Sequence, residues 1–303
     1  MILWKHPMFA DDPRSDSELY DAIASLASSD DFHAKQGRST GRCSLPTPRG
    51  PRNVYVKRYY TLPWWQRRFF SLDQFPGPLE QRNLDLAKSL GILVPEPILA
   101  GADRSRPCKS FLVIGELEGF VPLHLYLPRR FARETGSIDE LASWNGFKRR
   151  LSEKMVDICR RLHGASLYHR DLYLCHFFIR ETSDSRTRDI VENELSAPRI
   201  ATEIRPADDV SRSIGRRSDV PSFDLALIDF GRLLQSSRQR WLVKDLAQLL
   251  FSADLPGITR DDQIRFLELY LETQSSAQGY QRLAHRIQSK AARYHRHNAR
   301  AAA

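Results

Sequence analysis

The sequence predicts an α+β fold with two lobes, a small β-rich N-lobe followed by a larger, mainly helical C-lobe. Residues 53–59 alternate with the period of two that is typical of a strand, and residues 111–114 form an apolar run of strand length. Downstream, Phe147 to His163 carries an apolar stripe at helical spacing. A chain of 303 residues is long enough to hold a cleft between two such lobes.

The lobe boundaries follow from changes in pattern along the chain. We expect residues 1–35 to form an N-terminal extension with one short helix, residues 36–118 the N-lobe, and residues 119–303 the C-lobe. Residues 181–221 are polar, carry charges of both signs and show no periodicity, which predicts a flexible insertion in the C-lobe.

Composition is that of a globular protein with an excess of positive charge. Hydrophobic residues make up 41% of the chain, and no apolar run reaches membrane-spanning length. The first residues lack the pattern of a secretory signal, and the four cysteines are far apart, so we expect a cytoplasmic protein with reduced thiols. The net charge of +9 suggests an acidic membrane face, a phosphorylated substrate or nucleic acid as partner. No nucleic-acid recognition motif accompanies the charge, so nucleic acid is not expected.

A short acidic motif in the middle of the chain carries the first functional signal. In LHGASLYHRDLYLCHFFI, residues 162–179, Asp171 follows His169 and Arg170 on a tight loop between a helix and an apolar strand. A carboxylate in this position can accept the proton of a hydroxyl group or align that hydroxyl with a phosphate. We therefore regard the three residues as the centre of a catalytic loop.

A second acidic motif, LIDFG at residues 227–231, provides the metal-binding half of the prediction. Asp229 follows an apolar strand and precedes Gly231, so its carboxylate can reach a Mg²⁺ ion that bridges nucleotide phosphates. Each motif alone is a weak match. Together, in this order, they indicate a kinase-type phosphotransferase that uses ATP.

The N-lobe offers a lysine and a glutamate for the nucleotide. Lys57, near the middle of a strand, can bind the α- and β-phosphates, or it is a solvated strand lysine. Pro78 to Leu90 is predicted to be a helix that opens with Glu80, which can pair with Lys57 or serve as an N-terminal acid favoured by the helix dipole. The face expected to be buried consists of Leu79, Asn83, Leu86 and Leu90.

Weaker signals surround this pair. Gly37 and Gly41 lie where a strand-turn-strand over phosphates is needed, although their spacing also suits an ordinary hairpin. By position, the backbone near Glu116 and Glu118 is expected to bind adenine. Residues 61–76 are rich in aromatic and basic side chains, which favours a packed connector over a lipid contact or a substrate mouth.

The spacing after LIDFG separates classes of acceptor. Protein kinases need a long segment that ends in an Ala-Pro-Glu motif to bind a polypeptide substrate. Here only Arg232 to Arg240 lie between the motif and the next apolar helix. Tyr173 occupies a position where protein kinases usually have lysine, and His176 a position where they have asparagine. A small molecule or a glycan is therefore the expected acceptor.

At HRDLYLCHF (residues 169–177) and RWLVKDLAQLLFSA (residues 240–253), the sequence resembles the lipopolysaccharide core heptose kinases of the Kdo/WaaP type. The resemblance covers roughly residues 50–255 apart from the insertion. It implies a protein-kinase-like fold and ATP-dependent phosphorylation of a sugar hydroxyl on the inner core of a lipid-linked glycan, at the cytoplasmic membrane face.

The resemblance also implies a role for each residue. Asp171 would be the catalytic base, Asp229 the Mg²⁺ ligand, Lys57 the phosphate anchor with Glu80 as its partner, and Asp245 a buttress of the catalytic loop. His176 is open: it binds the metal, touches phosphate or orients Asp171, since Mg²⁺ prefers oxygen ligands to imidazole.

The last expectations concern the C-terminal segment and the alternative functions. A basic helix is expected over residues 279–300, with a cationic face suited to anionic phospholipid or simply to solvent. The alternatives to a glycan kinase are a kinase for another small molecule, an atypical protein kinase, and a pseudokinase scaffold. A scaffold would be expected to lack Asp171, Lys57 or Asp229, and all three are present.

Overall fold

The computed structural model describes residues 1–35, 37–47, 50–133, 137–182, 222–272 and 278–302. The N-lobe strands are β1 (Ile2–Lys5), β2 (Asp30–Lys35), β3 (Arg38–Thr47), β4 (Gly50–Tyr59), β5 (Pro97–Ala102) and β6 (Ser110–Gly115). They form one antiparallel sheet in the order β1-β5-β6-β4-β3-β2. The strands β5 and β6 are buried along their whole length, which explains why their sequences read as apolar runs.

Residues 1–35, predicted to be an N-terminal extension, are part of the N-lobe because they supply both edge strands of its sheet. β1 pairs with β5 at one edge of the sheet, and β2 pairs with β3 at the other edge. Between them, α1 (Asp16–Ser25) begins with a capping box formed by Ser15 and Glu18, and it buries Leu19, Tyr20 and Ile23. The strand β1 has only four residues and pairs with the distant strand β5, so its own sequence carries little periodic signal.

Two helices connect the central strand β4 to β5. They are α2 (Trp64–Phe69) and α3 (Pro76–Ser89). The buried face of α3 differs from the predicted one: Glu80, Leu84 and Ala87 are buried, whereas Leu86 is exposed. Gly77 explains the difference, because it lets the start of α3 approach β6 so closely that an added Cβ would lie 2.0 Å from the carbonyl oxygen of Phe111.

The C-lobe combines long helices with short strands. The helices are α4 (Leu123–Arg133), α5 (Ile138–Gly164), α6 (Arg240–Ser252), α7 (Arg260–Leu271) and α8 (Gln278–Ala302). The strands are β7 (Val121–Pro122), β8 (Leu167–Tyr168), β9 (Phe177–Glu181), β10 (Phe223–Leu227) and β11 (Leu234–Gln235). The predicted apolar stripe of α5 is buried in the main core, together with residues of α3 from the other lobe. The two-lobed α+β fold is confirmed.

The antiparallel pair of β9 and β10 brings the two acidic motifs together. Phe177, just after the catalytic loop, pairs with Leu227, just before Asp229. The predicted insertion, residues 181–221, enters between these strands; apart from Glu181 and Thr182 it lies outside the described residues, so its flexibility stays a prediction.

The predicted basic helix is present as α8. Its apolar side chains Tyr280, Ala284 and Ile287 are buried in a small cluster with residues of α6 and α7. Its arginines Arg282 and Arg293 lie on the exposed side. Within the described ranges, no helix has both the length and the apolar composition needed to cross a bilayer.

The close contact at Gly77 gives the first testable prediction. Gly77→Ala should destabilise the protein by about 3 kcal/mol, because the new Cβ meets the backbone of β6, which cannot yield as a side chain can. Gly279→Ala is the matched control, since nothing lies within 4 Å of its added Cβ, and its effect should stay within about 0.5 kcal/mol. Equal denaturation midpoints for the two variants would show that the contact between α3 and β6 is looser than described.

Candidate active site

A buried carboxylate holds the backbone of the catalytic loop. Asp245, on α6, is fully buried and accepts hydrogen bonds from the backbone N–H groups of His169 and Arg170, both at 2.8 Å. Arg170 has a φ of 67°, a left-handed conformation that is rare for a residue with a side chain. The two hydrogen bonds from Asp245 therefore stabilise a strained turn immediately before Asp171.

The side chains of His169 and Arg170 do not lie where the predicted catalytic role would require them. His169 was predicted to be catalytic, but it is fully buried, and its Nε2 atom lies 2.9 Å from the carbonyl oxygen of Ile228. Burial lowers the pKa of this imidazole. Arg170 directs its guanidinium group over the ring of Trp241, with 4.9 Å between the guanidinium carbon and the ring centroid. Both residues therefore position the loop and do not face the reacting groups.

Asp171 lies at the mouth of the cleft. Its backbone carbonyl accepts a hydrogen bond from Nδ1 of His176 at 2.6 Å, which fixes the loop on the side away from Asp245. Its carboxylate lies 3.6 Å from the guanidinium group of Arg232 and 3.5 Å from the side-chain amide of Gln248. The carboxylate is thus oriented by its neighbours and still about one-quarter exposed, as a group that meets a substrate must be.

Asp229 lies in the cleft, two residues after the end of β10. It also adopts a left-handed conformation, with a φ of 64°, and the turn that follows is held by Asn83, whose amide donates to the carbonyl of Phe230 at 2.9 Å. Burial raises the pKa of Asp229, but the ammonium group of Lys57 outweighs burial and holds that pKa well below its usual range. Asp229 therefore presents a carboxylate, not a carboxylic acid, to the cleft.

Lys57 joins the two lobes across the cleft. Its Nζ atom lies 2.6 Å from Oε1 of Glu80 and 3.0 Å from Oδ1 of Asp229. Burial lowers the pKa of Lys57, whereas Glu80 and Asp229 raise it above its usual range, so the amine stays charged. The expected contact between Lys57 and Glu80 is present, and it leaves the ammonium group facing the metal-binding carboxylate.

Three candidate ligands converge beside this lysine. Ligand atoms of Asp171, His176 and Asp229 all lie within 4.8 Å of one another. The carboxylate of Asp229 supplies the hard oxygen donors that Mg²⁺ prefers. The donor set therefore fits a divalent cation held mainly by carboxylate oxygen.

His176 is the least conventional member of this cluster. Its Nδ1 is engaged by the carbonyl of Asp171, and its Nε2 lies 3.8 Å from Oδ2 of Asp229. Burial lowers its pKa, but hydrogen bonds to Cys175 and to the carbonyl of Asp171 raise it to about 9. Of the three roles considered for His176, orientation of Asp171 has a direct contact in the structure.

The two glycines that were predicted to lie over the phosphates, Gly37 and Gly41, occupy different positions in the sheet. Gly37 lies between β2 and β3 with a φ of 73°, and its carbonyl accepts the N–H groups of Tyr60 and Thr61 at 2.7 and 3.2 Å. Gly41 lies inside β3, paired with both β2 and β4, so Gly37 lies at the turn and Gly41 in the strand that follows it. The role of these glycines over the phosphates stays a prediction.

At the end of β6, Glu116 donates its backbone N–H to Asn53 and pairs its side chain with Arg42 at 2.9 Å. Its amide is therefore engaged by the sheet, while Glu118 lies exposed in the turn that follows. The predicted contact of adenine with the backbone near Glu116 and Glu118 stays a prediction.

Some residues of the site were missed at the level of sequence. Gln248 accepts the N–H of Leu172 at 3.2 Å and lies three residues after Asp245 on the same face of α6. The helical spacing from Asp245 could have identified it. Arg232, the third residue after Asp229, approaches Asp171 only through the fold, and nothing local in its sequence indicates that contact.

The sequence is similar to those of lipopolysaccharide kinases along most of its length. The profile of the lipopolysaccharide kinase (Kdo/WaaP) family matches residues 32–203. The lipopolysaccharide core heptose(I) kinase WaaP of Pseudomonas aeruginosa is 29% identical over 238 residues, which cover 76% of this chain and 74% of that protein. The WaaP of Escherichia coli K12 is 30% identical over 123 residues, 41% of this chain and 35% of its own length.

The fold agrees with these matches. A solved structure of WaaP in complex with acyl carrier protein superimposes with a TM-score of 0.63 and 22% sequence identity, covering 97% of this chain and 98% of that chain. With the family profile spanning more than half of the sequence, and with Lys57, Asp171 and Asp229 meeting in one cleft, the chain belongs to the lipopolysaccharide kinase (Kdo/WaaP) family and is a phosphotransferase with a hydroxyl acceptor.

Proposed function

We propose that this chain transfers the γ-phosphoryl group of ATP to a hydroxyl of a lipopolysaccharide inner-core sugar, a heptose or a Kdo-like sugar. The observation that carries the proposal is the meeting of Lys57 from the N-lobe with Asp229 and Asp171 from the C-lobe. The name of the Pseudomonas relative, a core heptose(I) kinase, supports the choice of acceptor.

The nucleotide side of the reaction rests on charge. Lys57 would bind the phosphates, with its ammonium group aimed by Glu80, which is 1% exposed. Asp229 would hold Mg²⁺, and His176, whose Nδ1 is engaged by the carbonyl of Asp171, lies beside it. The metal ion supplies neutralisation of the phosphate charge, as it does in kinases generally.

The acceptor side rests on Asp171. Its carboxylate would align the sugar hydroxyl with the γ-phosphate and take the proton as the new P–O bond forms. The loop is held from two sides, by Asp245 and by His176, so the carboxylate needs little reorganisation before transfer. Since α6 begins at Arg240, only a short segment follows the metal-binding turn, which favours a glycan over a polypeptide acceptor.

The proposed acceptor implies a location. ATP is available in the cytoplasm, and a lipid-linked core is bound to a bilayer, so we place the protein in the cytoplasm, peripheral on the inner face of the cytoplasmic membrane. The exposed arginines of α8 would favour an anionic lipid surface.

The alternative functions are less well supported. A pseudokinase scaffold needs no aligned machinery, yet Lys57, Asp171 and Asp229 all have the contacts that catalysis requires. Kinases for other small molecules usually carry asparagine where this chain has His176. An atypical protein kinase lacks a docking platform here, because Arg232 and α6 follow the metal-binding turn so closely.

Nucleotide binding gives the second prediction. Mg²⁺ with ATP should raise the melting temperature of the protein, by an amount equivalent to about 2.7 kcal/mol when ATP is a hundredfold above its Kd. In Asp229→Ala the shift should be lost, because the metal-binding carboxylate is gone. Asp254→Asn, an exposed acid outside the cleft, is the control and should keep the shift. If the parent protein showed no shift, the scaffold function would be favoured instead.

The third prediction separates binding from chemistry. Asp171→Asn should keep the ATP-dependent thermal shift but lower phosphoryl transfer by about 10²–10⁴-fold, since a general base acts mainly in the transition state. Single-turnover transfer with labelled ATP measures the rate. Parallel loss of binding and transfer would instead make Asp171 a structural residue.

The identity of the acceptor can be tested directly. With labelled ATP, we expect transfer to dephosphorylated lipopolysaccharide core glycan, and far less to free monosaccharides or to a mixed peptide substrate, because the short segment after Gly231 offers no peptide platform. Product analysis by mass spectrometry then identifies the sugar. Label that appears only on peptide would contradict the glycan acceptor while leaving kinase activity intact.

A further inference from the structure

The helix α2 exposes large aromatic side chains to solvent. Trp64 is 68% exposed, Trp65 43% and Phe69 70%, so the interpretation of this stretch as a packed connector is wrong for these residues. The ring of Trp64 contacts Phe69 edge-on, with 6.1 Å between their centroids, which groups the rings into one patch. Contiguous exposed aromatic groups on a protein surface usually mark an interaction site.

Positive charge surrounds this patch, and negative charge is absent from its sequence. Arg67 and Arg68 lie within α2 and are exposed, and Arg104 reaches the same surface, where it donates to the carbonyl of Arg67 at 2.9 Å. Residues 60–72 contain no Asp or Glu. Asp73, the first acid that follows, is paired with Arg82 at 2.9 Å.

This combination matches the chemistry of an anionic membrane interface. Tryptophan favours the boundary between headgroups and acyl chains, where its ring is apolar and its N–H meets water. Arginines beside it bind lipid phosphates and are attracted by the negative surface potential. Exposed aromatic rings flanked by arginine, without acids, therefore fit anionic phospholipid better than a neutral protein surface.

The basic helix α8 lacks half of this chemistry. An interfacial helix needs an apolar face to insert as well as a cationic face. In α8 the apolar residues Tyr280, Ala284 and Ile287 are already buried with residues of α6 and α7. Its exposed arginines can attract a charged surface, but between residues 278 and 298 of α8 the apolar side chains pack on α6 and α7 and leave no apolar face to enter one.

The patch is tied to the nucleotide side of the cleft. Thr61, three residues before α2, donates its N–H to the carbonyl of Gly37, and an added Cβ at Gly37 would lie 1.9 Å from Oγ1 of Thr61. The strand β4, which carries Lys57, leads directly into this segment. A surface that engages α2 is thereby fixed relative to the lobe that contains the lysine.

We infer that α2 is a membrane-contacting element, in which Trp64 and Phe69 enter the interface of an anionic phospholipid bilayer and Arg67 and Arg68 bind its phosphates. Membrane binding by α2 stands on its own contacts. Its use, to hold the cleft at a surface that carries a lipid-linked acceptor, rests on the proposed function.

Vesicle cosedimentation of the full chain tests the inference. The protein should bind vesicles of mixed phosphatidylglycerol and phosphatidylcholine but not vesicles of phosphatidylcholine alone. The double variant Trp64→Ser/Phe69→Ser should weaken binding by about tenfold or more, since both side chains leave the interface. Arg67→Gln/Arg68→Gln should weaken it by about fivefold for each arginine. In the parent protein, brominated lipids should quench tryptophan fluorescence, and the double aromatic variant should lose much of this quenching.

Two controls separate this surface from the others. Arg282→Gln/Arg293→Gln on α8 and Ile138→Ser, an exposed apolar residue in the C-lobe, should each change vesicle binding by less than about threefold. The inference is overturned if the aromatic variant binds vesicles as the parent does, or if only the α8 variant loses binding. The thermal shift with Mg²⁺ and ATP confirms that each variant is folded. The same measurement tests the proposed kinase independently of membrane binding. If the parent protein shows a normal thermal shift but does not bind vesicles, only the role of α2 is refuted.

Discussion

A largely buried lysine, Lys57, joins the two lobes, and the geometry of the site depends on it. Lys57 extends from the central strand of the N-lobe and contacts Glu80 of α3 and Asp229 of the C-lobe at 2.6 and 3.0 Å. Burial alone would favour a neutral amine, and burial likewise raises the pKa of Glu80, so each charge is stabilised by the other. Loss of one partner from such a buried pair typically costs about 3–5 kcal/mol. Phosphates that enter the cleft would share the same ammonium group with Asp229, which links nucleotide binding to the arrangement of the lobes.

Around this contact, the groups that react and the groups that hold them differ in burial. The carboxylates of Asp171 and Asp229 are 23% and 40% exposed, whereas Asp245 and His169 are fully buried. Buried polar groups in a low dielectric make strong, directional hydrogen bonds, so they suit the task of fixing backbone in a strained conformation. Arg170 and Asp229 both adopt left-handed conformations beside these supports. Strain held in this way keeps the reactive carboxylates in place before any substrate arrives.

Sequence alone predicted the parts of the site whose signal is local. Asp171, Asp229 and Lys57 stand at loop or strand positions whose spacing is set by chemistry, and the long stripe of α5 has an unambiguous period. The buried face of α3 was wrong because Gly77, not hydrophobicity, determines how that helix meets the sheet, and the face that results includes the charged Glu80. The edge strand β1 was missed because its pairing partner, β5, is distant in the chain. Packing and non-local pairing, which decide both cases, are not encoded in the periodicity of one segment.

The position of α2 connects the fold to the proposed reaction. A kinase that acts on a soluble metabolite gains nothing from aromatic side chains held in water, which cost free energy unless another surface covers them. An acceptor linked to lipid changes this balance. The enzyme and its acceptor then lie at the same membrane surface, so they encounter each other by diffusion in two dimensions. The contact between Thr61 and Gly37 makes α2 continuous with the lobe that carries Lys57. Binding of α2 to a bilayer would therefore orient the N-lobe, which binds the nucleotide, relative to the membrane. Because Asp171 belongs to the C-lobe, the membrane contact of α2 would not cover it, and its carboxylate could approach the sugar.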